Sequence, residues 1–230
     1  MSVVLVIPDL HIPFHHTDAL PFLKAVKRKY RPTDVVNLGD FEDWHSISMH
    51  DHDPDGMSPG AELKKLRELS KPFMKLFPDM LICTSNHGSL PFRRAFKFGM
   101  PSQLIKSYKE ILQAPKGWKW TDSWEIDGVI YEHGDPFSGQ NAALKVAEQN
   151  MQSTVIGHVH SFAGIQYSAN SKCLIFGFNC GCLIDRSAYA FAYAKKIKRK
   201  PILGCGIVID GIPTFIPMQL NREGKWKGKL

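Results

Sequence analysis

The sequence has little that would commit the chain to a membrane, a disulfide scaffold or a fibre. No apolar run approaches the roughly 20 residues that cross a bilayer. The five cysteines, Cys83, Cys173, Cys180, Cys182 and Cys205, are odd in number and irregular in spacing, which is not a disulfide framework. They read as reduced core thiols, and Cys180 with Cys182 lacks the second pair that a structural zinc site needs. No internal repeat, low-complexity linker or separate cap domain is visible. The start, Met1-Ser2-Val3, has no basic n-region, and Asp9 follows too soon for a secretory leader. The expected N-terminus is therefore the native one, and the expected compartment is the cytoplasm.

What is present is ordinary in amount. Hydrophobic residues make up 43% and charged residues 22%, as in soluble globular proteins. A chain of 230 residues can bury one sizeable core, so a single domain over 1–230 is expected.

The placement of the polar residues is less ordinary. Five short apolar runs, Val3 to Ile7, Val35 to Leu38, Met80 to Cys83, Val129 to Tyr131 and Val155 to Ile156, read as strands buried on both faces, the pattern of a largely parallel sheet. Each is followed by residues able to hold a metal: Asp9-Leu10-His11, Gly39-Asp40, Asn86-His87, His133-Gly134 and Gly157-His158-Val159-His160. Open α/β sheets place their ligand sites at the carboxyl ends of such strands. Alternate residues of an extended chain share a side. Asp9 and His11 can thus reach one ion if the extended conformation continues past Pro8, and His158 and His160 have the same relation. Asp40 has two carboxylate oxygens and can bridge two ions, Asn86 offers a neutral carbonyl oxygen, and His133 adds an imidazole. Mixed imidazole and carboxylate ligands suit borderline divalent metals better than calcium. Two such ions with only Asp9 and Asp40 as charged ligands leave a net positive site suited to a phosphate. The expected cofactors are two divalent transition-metal ions, Mn first, with Fe, Zn or Ni as alternatives.

The five blocks in this order resemble the calcineurin-like metallophosphoesterase superfamily, whose pattern is Asp-x-His, Gly-Asp, Gly-Asn-His, a lone His beside Gly, and Gly-His-x-His. The resemblance spans Asp9 to His160. It implies that Asp9, His11, Asp40 and His160 hold one metal and that Asp40, Asn86, His133 and His158 hold the other. His87 matches the catalytic histidine, which contacts the phosphate and protonates the leaving oxygen. Asp43 matches an aspartate that orients that histidine in some branches. Two departures stand out. Ser85 occupies the position of the usual Gly before Asn86, which a Ser can fill where φ is negative. Asp43-Trp44-His45 stands where the serine/threonine protein phosphatase branch has Asp-Arg-Gly, so a phosphatase of that type is not expected. The implied fold is an α/β sandwich of two sheets flanked by helices. The implied activity is hydrolysis of a phosphate ester by attack of a metal-bound hydroxide, with no covalent phospho-enzyme.

Substrate preference rests on weaker signals. The formal net charge is +7, which favours polyanionic partners. Lys195, Lys196, Lys198, Arg199 and Lys200 form one basic group, and Arg222, Lys225, Lys227 and Lys229 form another around Trp226. Arg93 and Arg94 follow His87 closely enough to bind substrate. Trp118, Trp120 and Trp124 can stack nucleobases, although core packing is the commoner use. A phosphodiesterase or nuclease acting on DNA, RNA or nucleotides is the leading expectation. A phosphomonoesterase of small molecules or phosphoproteins, and a non-catalytic scaffold of the same fold, are the alternatives. Oligomeric state has no signal.

Other elements frame these motifs. Thr17-Asp18 is expected to cap a helix over Ala19 to Tyr30, giving a right-handed βαβ unit with the second strand. Helices are expected over Ala61 to Phe77, Pro91 to Phe98, Ser102 to Leu112 and Gln140 to Asn150. Ser46 to Pro59, with His50-Asp51-His52-Asp53-Pro54-Asp55, reads as a solvated loop rather than a further ion site. Phe162 to Tyr167, Leu174 to Phe178, Ile202 to Ile209 and Thr214 to Met218 are expected to form a second sheet.

Overall fold

The computed structural model describes residues 1–48, 55–188 and 198–230. Two mixed sheets pack face to face. The first contains β1 (Val3–Ile7), β2 (Asp34–Asn37), β3 (Asp79–Cys83), β4 (Gly117–Thr121), β10 (Gly204–Ile209) and β11 (Ile212–Pro217), in the order β11-β10-β1-β2-β3-β4. The second contains β5 (Ser123–Ile126), β6 (Val129–Glu132), β7 (Thr154–Ile156), β8 (Gly164–Ala169) and β9 (Leu174–Asn179), in the order β5-β6-β7-β9-β8. Each sheet is parallel at its centre: β1 through β4 run together in one, and β6, β7 and β9 in the other. Antiparallel strands form the remaining edges.

The alternation of side chains along β1 explains why this strand is apolar throughout. Val4 and Val6 point between the sheets and meet Val36, Val155, Phe178 and Val208. Val3, Leu5 and Ile7 point outward and meet Phe22, Leu23 and Val26 of α1 (Ala19–Tyr30) and Leu66 and Phe73 of α2 (Pro59–Leu76). On the far face of the second sheet, Ala142, Ala143 and Val146 of α5 (Ala142–Asn150) cover Ile156. The architecture is thus α/β/β/α, the two-sheet sandwich flanked by helices.

Three expectations need correction. The four late strands do not form the second sheet. β8 and β9 join it, but β10 and β11 extend the first sheet from β1, and β5, β6 and β7 complete the second. β10 pairs antiparallel with β1, and Gly206 lets it pack closely on the second sheet, where a Cβ would stand 2.7 Å from Cys180 Sγ and 2.9 Å from Phe178. The helix expected over Ser102 to Leu112 is broken: a single 3₁₀ turn spans Ser102–Leu104, and α4 (Tyr108–Leu112) restarts at a Ser107/Glu110 capping box. Asp18 stands at the N-cap of α1, but its side chain makes no cap bond and instead accepts from the Trp226 backbone N–H at 2.9 Å.

Cys83, Cys180, Cys182 and Cys205 are buried, and Cys173 is exposed. Trp118 donates from Nε1 to the Phe77 carbonyl and Trp124 from Nε1 to the Ile82 carbonyl, which is packing rather than an exposed stacking platform. The expected loop residues His50 to Pro54 and the basic residues Lys195 and Lys196 lie outside the described residues. Among the described residues no helix is long and apolar enough to cross a membrane.

Candidate metal centre

The sandwich brings the ends of β1, β2, β3, β6 and β7 to one edge, and with them the seven candidate ligands. Three overlapping groups converge there: Asp9, His11 and His160; His11, Asp40 and His87; and Asp40, His133 and His158. Within each group the ligand atoms lie within 4.8 Å of one another. Asp40 Oδ2 sits between the two ends of the centre, 3.4 Å from His11 Nε2 and 3.3 Å from His133 Nε2. Asn86 joins at one end, its Oδ1 2.7 Å from His133 Nε2.

The backbone at these residues departs from the extended conformation expected of them. His11 has φ 51°, Asp40 φ 44° and His158 φ 61°, so the chain turns left-handed instead of running on extended. Such conformations cost L-residues roughly 1–2 kcal/mol each, and their clustering at one locus is typical of functional sites. The turn separates His158 from His160. His160 Nε2 lies 2.9 Å from Asp9 Oδ2, while His158 groups with Asp40 and His133.

Hydrogen bonds behind the ligands set the imidazole tautomers. His133 Nδ1 lies 2.9 Å from the Leu38 carbonyl, so Nδ1 is the donor and Nε2 is directed at Asn86 and Asp40. His11 Nδ1 lies 2.5 Å from Asp43 Oδ1, leaving Nε2 to face His160 Nε2 at 3.3 Å. An outer carboxylate or carbonyl on one ring nitrogen, with the other turned inward, is the arrangement found behind metal-ligating histidines. His87 Nδ1 lies 2.6 Å from the Asp43 carbonyl oxygen, and its backbone N–H donates to Asp40 Oδ1 at 3.1 Å.

These residues fit a divalent cation on a direct observation. Asp9 is wholly buried, and its Oδ1 has no hydrogen-bond partner among the described residues. A carboxylate oxygen left so is costly, and a cation in the Asp9/His11/His160 group would satisfy it. Gly157 makes room for that oxygen, since a Cβ there would stand 2.2 Å from Asp9 Oδ1.

The charges are strongly coupled. Burial pushes Asp40 up, but His133, His87 and His11 outweigh it and hold its carboxyl well below the usual range. Burial likewise pushes Asp9 up, and the His160 hydrogen bond together with His133 and His160 brings it down. Burial lowers His133, yet the Asp40 carboxylate raises it to about 9. Burial also lowers His87, and Asp40 and Asp43 more than reverse this. His158 is lowered by burial and by His133.

The two arginines part company. Arg93 is at the centre's margin, donating from Nη2 to the Asn86 carbonyl at 2.8 Å. Arg94 donates to the carbonyls of Ile47 and Ser48, so its guanidinium ties down the segment after Asp43. The Asp43 carboxylate is closer to His11, at 2.5 Å, than to His87, at 3.4 Å.

Sequence reasoning missed three supporting residues. Ser85 Oγ accepts from the Asp40 N–H at 2.8 Å and the Gly88 N–H at 3.1 Å. Ser85 is not among the positive-φ residues, so its replacement of Gly is unstrained. Asn37 accepts from the Gly39 N–H and donates to the Ile7 carbonyl, which fixes the turn into Asp40. Buried Glu62 accepts from the N–H groups of His45 and Ser46. Of these, a polar Asn37 ending a buried strand was the one signal available in the sequence.

No family model matches the sequence, and no curated protein does. Solved structures do resemble the fold. Vps29 from Chaetomium thermophilum superposes with a TM-score of 0.51 at 13% identity, covering 98% of this chain and 94% of that one. A metallophosphoesterase from Sphaerobacter thermophilus gives 0.45 at 14% identity, over 95% and 88% of the two chains. The phosphoesterase YfcE from E. coli gives 0.43 at 14% identity, over 98% and 97%. The likeness is one of fold: the chain shares the two-sheet α/β/β/α sandwich of that Vps29.

Proposed function

We propose that the chain is a metal-dependent phosphoesterase of one domain, and that a phosphodiester of a nucleotide or nucleic acid is its substrate. The observation that carries this is the convergence of Asp9, His11, Asp40, Asn86, His133, His158 and His160 on one edge, with Asp40 Oδ2 between His11 and His133 and Asp9 Oδ1 orphaned. Asp9, His11, Asp40 and His160 would hold one ion, and Asp40, Asn86, His133 and His158 the other, with manganese the first expectation. When bound, such a pair lowers the pKa of water and neutralises phosphoryl oxygens.

The protein's own groups have distinct tasks. His87 keeps Nδ1 on the Asp43 carbonyl, so Nε2 is the atom left to meet the substrate. In its imidazolium form this ring can donate a proton to the departing oxygen or hold charge on the phosphoryl group. Asp43 orients His11 through its carboxylate and His87 through its backbone. Arg93, anchored on the Asn86 carbonyl, supplies a positive charge beside the phosphate. Exposed Lys198, Arg199 and Lys200, with Arg199 over the Phe162 ring at 4.7 Å, place basic charge near His160 and favour an anionic chain there. The expected compartment remains the cytoplasm.

The test is metal content of the purified protein combined with turnover of bis-p-nitrophenyl phosphate and p-nitrophenyl phosphate. Two ions per chain, and diester hydrolysis abolished by chelation, are the expected result. Hydrolysis that persists in chelator, or no hydrolysis with any divalent transition metal, would reject the reading, the latter in favour of a scaffold. A preference for the monoester would move the assignment to a phosphomonoesterase.

A further inference from the structure

A cleft of about 420 Å³ opens directly beside the metal centre, and its chemistry opposes the charge of the whole chain. His133 and Ser85 form its inner wall and belong to the centre itself. Its outer walls are Thr84, Ser89, Tyr108, Asp122, Glu132 and Asp135. It lies at the seam where the chain passes from β4, the edge of the first sheet, to β5, the edge of the second, with Asp122 at the crossing. Three of the lining residues carry carboxylates and four, Ser85 included, carry hydroxyls, and none is Lys or Arg. This occurs in a chain of net charge +7.

The groups are held in place. Thr84 Oγ1 donates to Asp122 Oδ1 at 2.6 Å, and Glu132 Oε1 accepts from Asn150 Nδ2 at 2.7 Å. The Tyr108 ring lies parallel to Trp120, 6.0 Å between centroids and 8° between planes. The volume falls in the range of about 300–1,000 Å³ typical of small-molecule sites. Carboxylates accept hydrogen bonds from hydroxyl and ammonium groups and repel phosphate. Towards the His160 end of the centre, basic residues gather. The Ile202 N–H donates to the His160 carbonyl at 2.8 Å, and exposed Lys198, Arg199 and Lys200 shortly precede Ile202 in the chain.

Building on the phosphoesterase reading above, we propose that this cleft receives one ester arm of the substrate, a single hydroxyl-bearing group without a second phosphate, such as a terminal nucleoside. Any further anionic portion lies towards Lys198, Arg199 and Lys200. The site is therefore polar across the phosphorus: it admits a terminal or small diester and disfavours an internal bond of a polynucleotide, which would force a phosphate among Asp122, Glu132 and Asp135.

The experiment compares the p-nitrophenyl ester of thymidine 5′-phosphate with the same compound phosphorylated on its 3′ hydroxyl, alongside bis-p-nitrophenyl phosphate. The expected kcat/KM is about 10-fold or more lower for the 3′-phosphorylated compound at low salt, and the gap closes as salt screens the exposed carboxylates. In the Asp122→Asn/Asp135→Asn variant the ratio of the two values moves towards one, and because it is a ratio of two turnovers it is read only from folded enzyme. Hydrolysis of bis-p-nitrophenyl phosphate with equal kcat/KM for the two thymidine esters overturns the cleft assignment and leaves the phosphoesterase reading intact. A ratio unchanged in the double variant also overturns it. Failure to hydrolyse all three compounds removes the phosphoesterase reading itself, and the cleft assignment with it.

Discussion

Replacing Asp43 by asparagine removes a charge while keeping a hydrogen-bond acceptor. The motif pattern makes Asp43 the group that orients His87. The geometry assigns its carboxylate elsewhere: Oδ1 is 2.5 Å from His11 Nδ1 and 3.4 Å from His87 Nδ1, while the main-chain carbonyl is 2.6 Å from His87 Nδ1. A side-chain substitution leaves that carbonyl in place, so His87 keeps its partner. What disappears is the negative charge behind His11, which fixes the ring and raises its basicity towards a metal.

Outer partners of this kind are worth about 10–100-fold in metal affinity, or about 1.4–2.7 kcal/mol. Asn still accepts from His11, so Asp43→Asn belongs near 10-fold. Asp43→Ala leaves a buried N–H unpaired and belongs near 100-fold. The loss should fall on the ion held by Asp9, His11 and His160 and spare the one held by Asp40, His133 and His158. Competition with a chromophoric chelator, resolving the two affinities, reads this directly, and a thermal melt of each variant confirms the fold. If both affinities stayed at the native value while turnover fell more than about 10-fold, the carboxylate would act on His87 and the geometric argument would be wrong.

Other perturbations probe the rest of the centre. Asp40→Asn should weaken both ions together because its Oδ2 stands between His11 and His133; loss confined to one ion in a metal titration would exclude bridging. His87→Ala should keep both ions and lose about 10²–10⁴-fold in turnover, less for esters whose leaving group needs no proton; unchanged turnover of an alkyl ester would reject the role. His15 lies away from the centre, packs on Phe73, and is lowered to about 4 by burial and by His16. The unfolded chain takes up this proton below about pH 6.5 and the folded one only near 4, so stability falls as pH drops through that window, by up to about 3 kcal/mol. His15→Leu should flatten this part of the stability profile in chelator, and an unchanged slope in denaturant titrations would refute it.

The site was more legible than the fold that carries it. Each candidate ligand follows a short apolar strand, and Val3–Ile7 and Thr154–Ile156, buried throughout, announce both a place in a sheet and the residue at its end. The partition of strands between sheets had no such marker. β10 looks like any apolar strand, and its position beside β1 depends on Gly204 and Gly206 meeting β11 and the opposite sheet at close range. Asp9 and His11 stay in one group as expected, but the expected pairing of His158 with His160 failed for a local reason. A period-two argument assumes extended backbone, and His11 and His158 are left-handed. Arg94 failed for a different reason. Proximity in sequence to His87 says nothing of where a long side chain ends, and here it ends on the carbonyls of Ile47 and Ser48.

Net charge alone does not orient a substrate. A value of +7 invites a nucleic-acid partner, but a sum over the surface is blind to which groups face the reacting phosphorus. Topology decides that. The passage from β4 to β5 and the end of β6 bring Asp122, Glu132 and Asp135 to the His133 side of the centre. The return from β9 towards β10 brings Lys198, Arg199 and Lys200 towards the His160 side. Within a Debye length of about 8–10 Å such local charges act on a bound group more strongly than the net charge does. On the proposed reading, a substrate would be oriented by this gradient, with its anionic part on one side and its hydroxyl-bearing part on the other. The overall positive charge would then govern how fast anions arrive, and the cleft which ester bond they present.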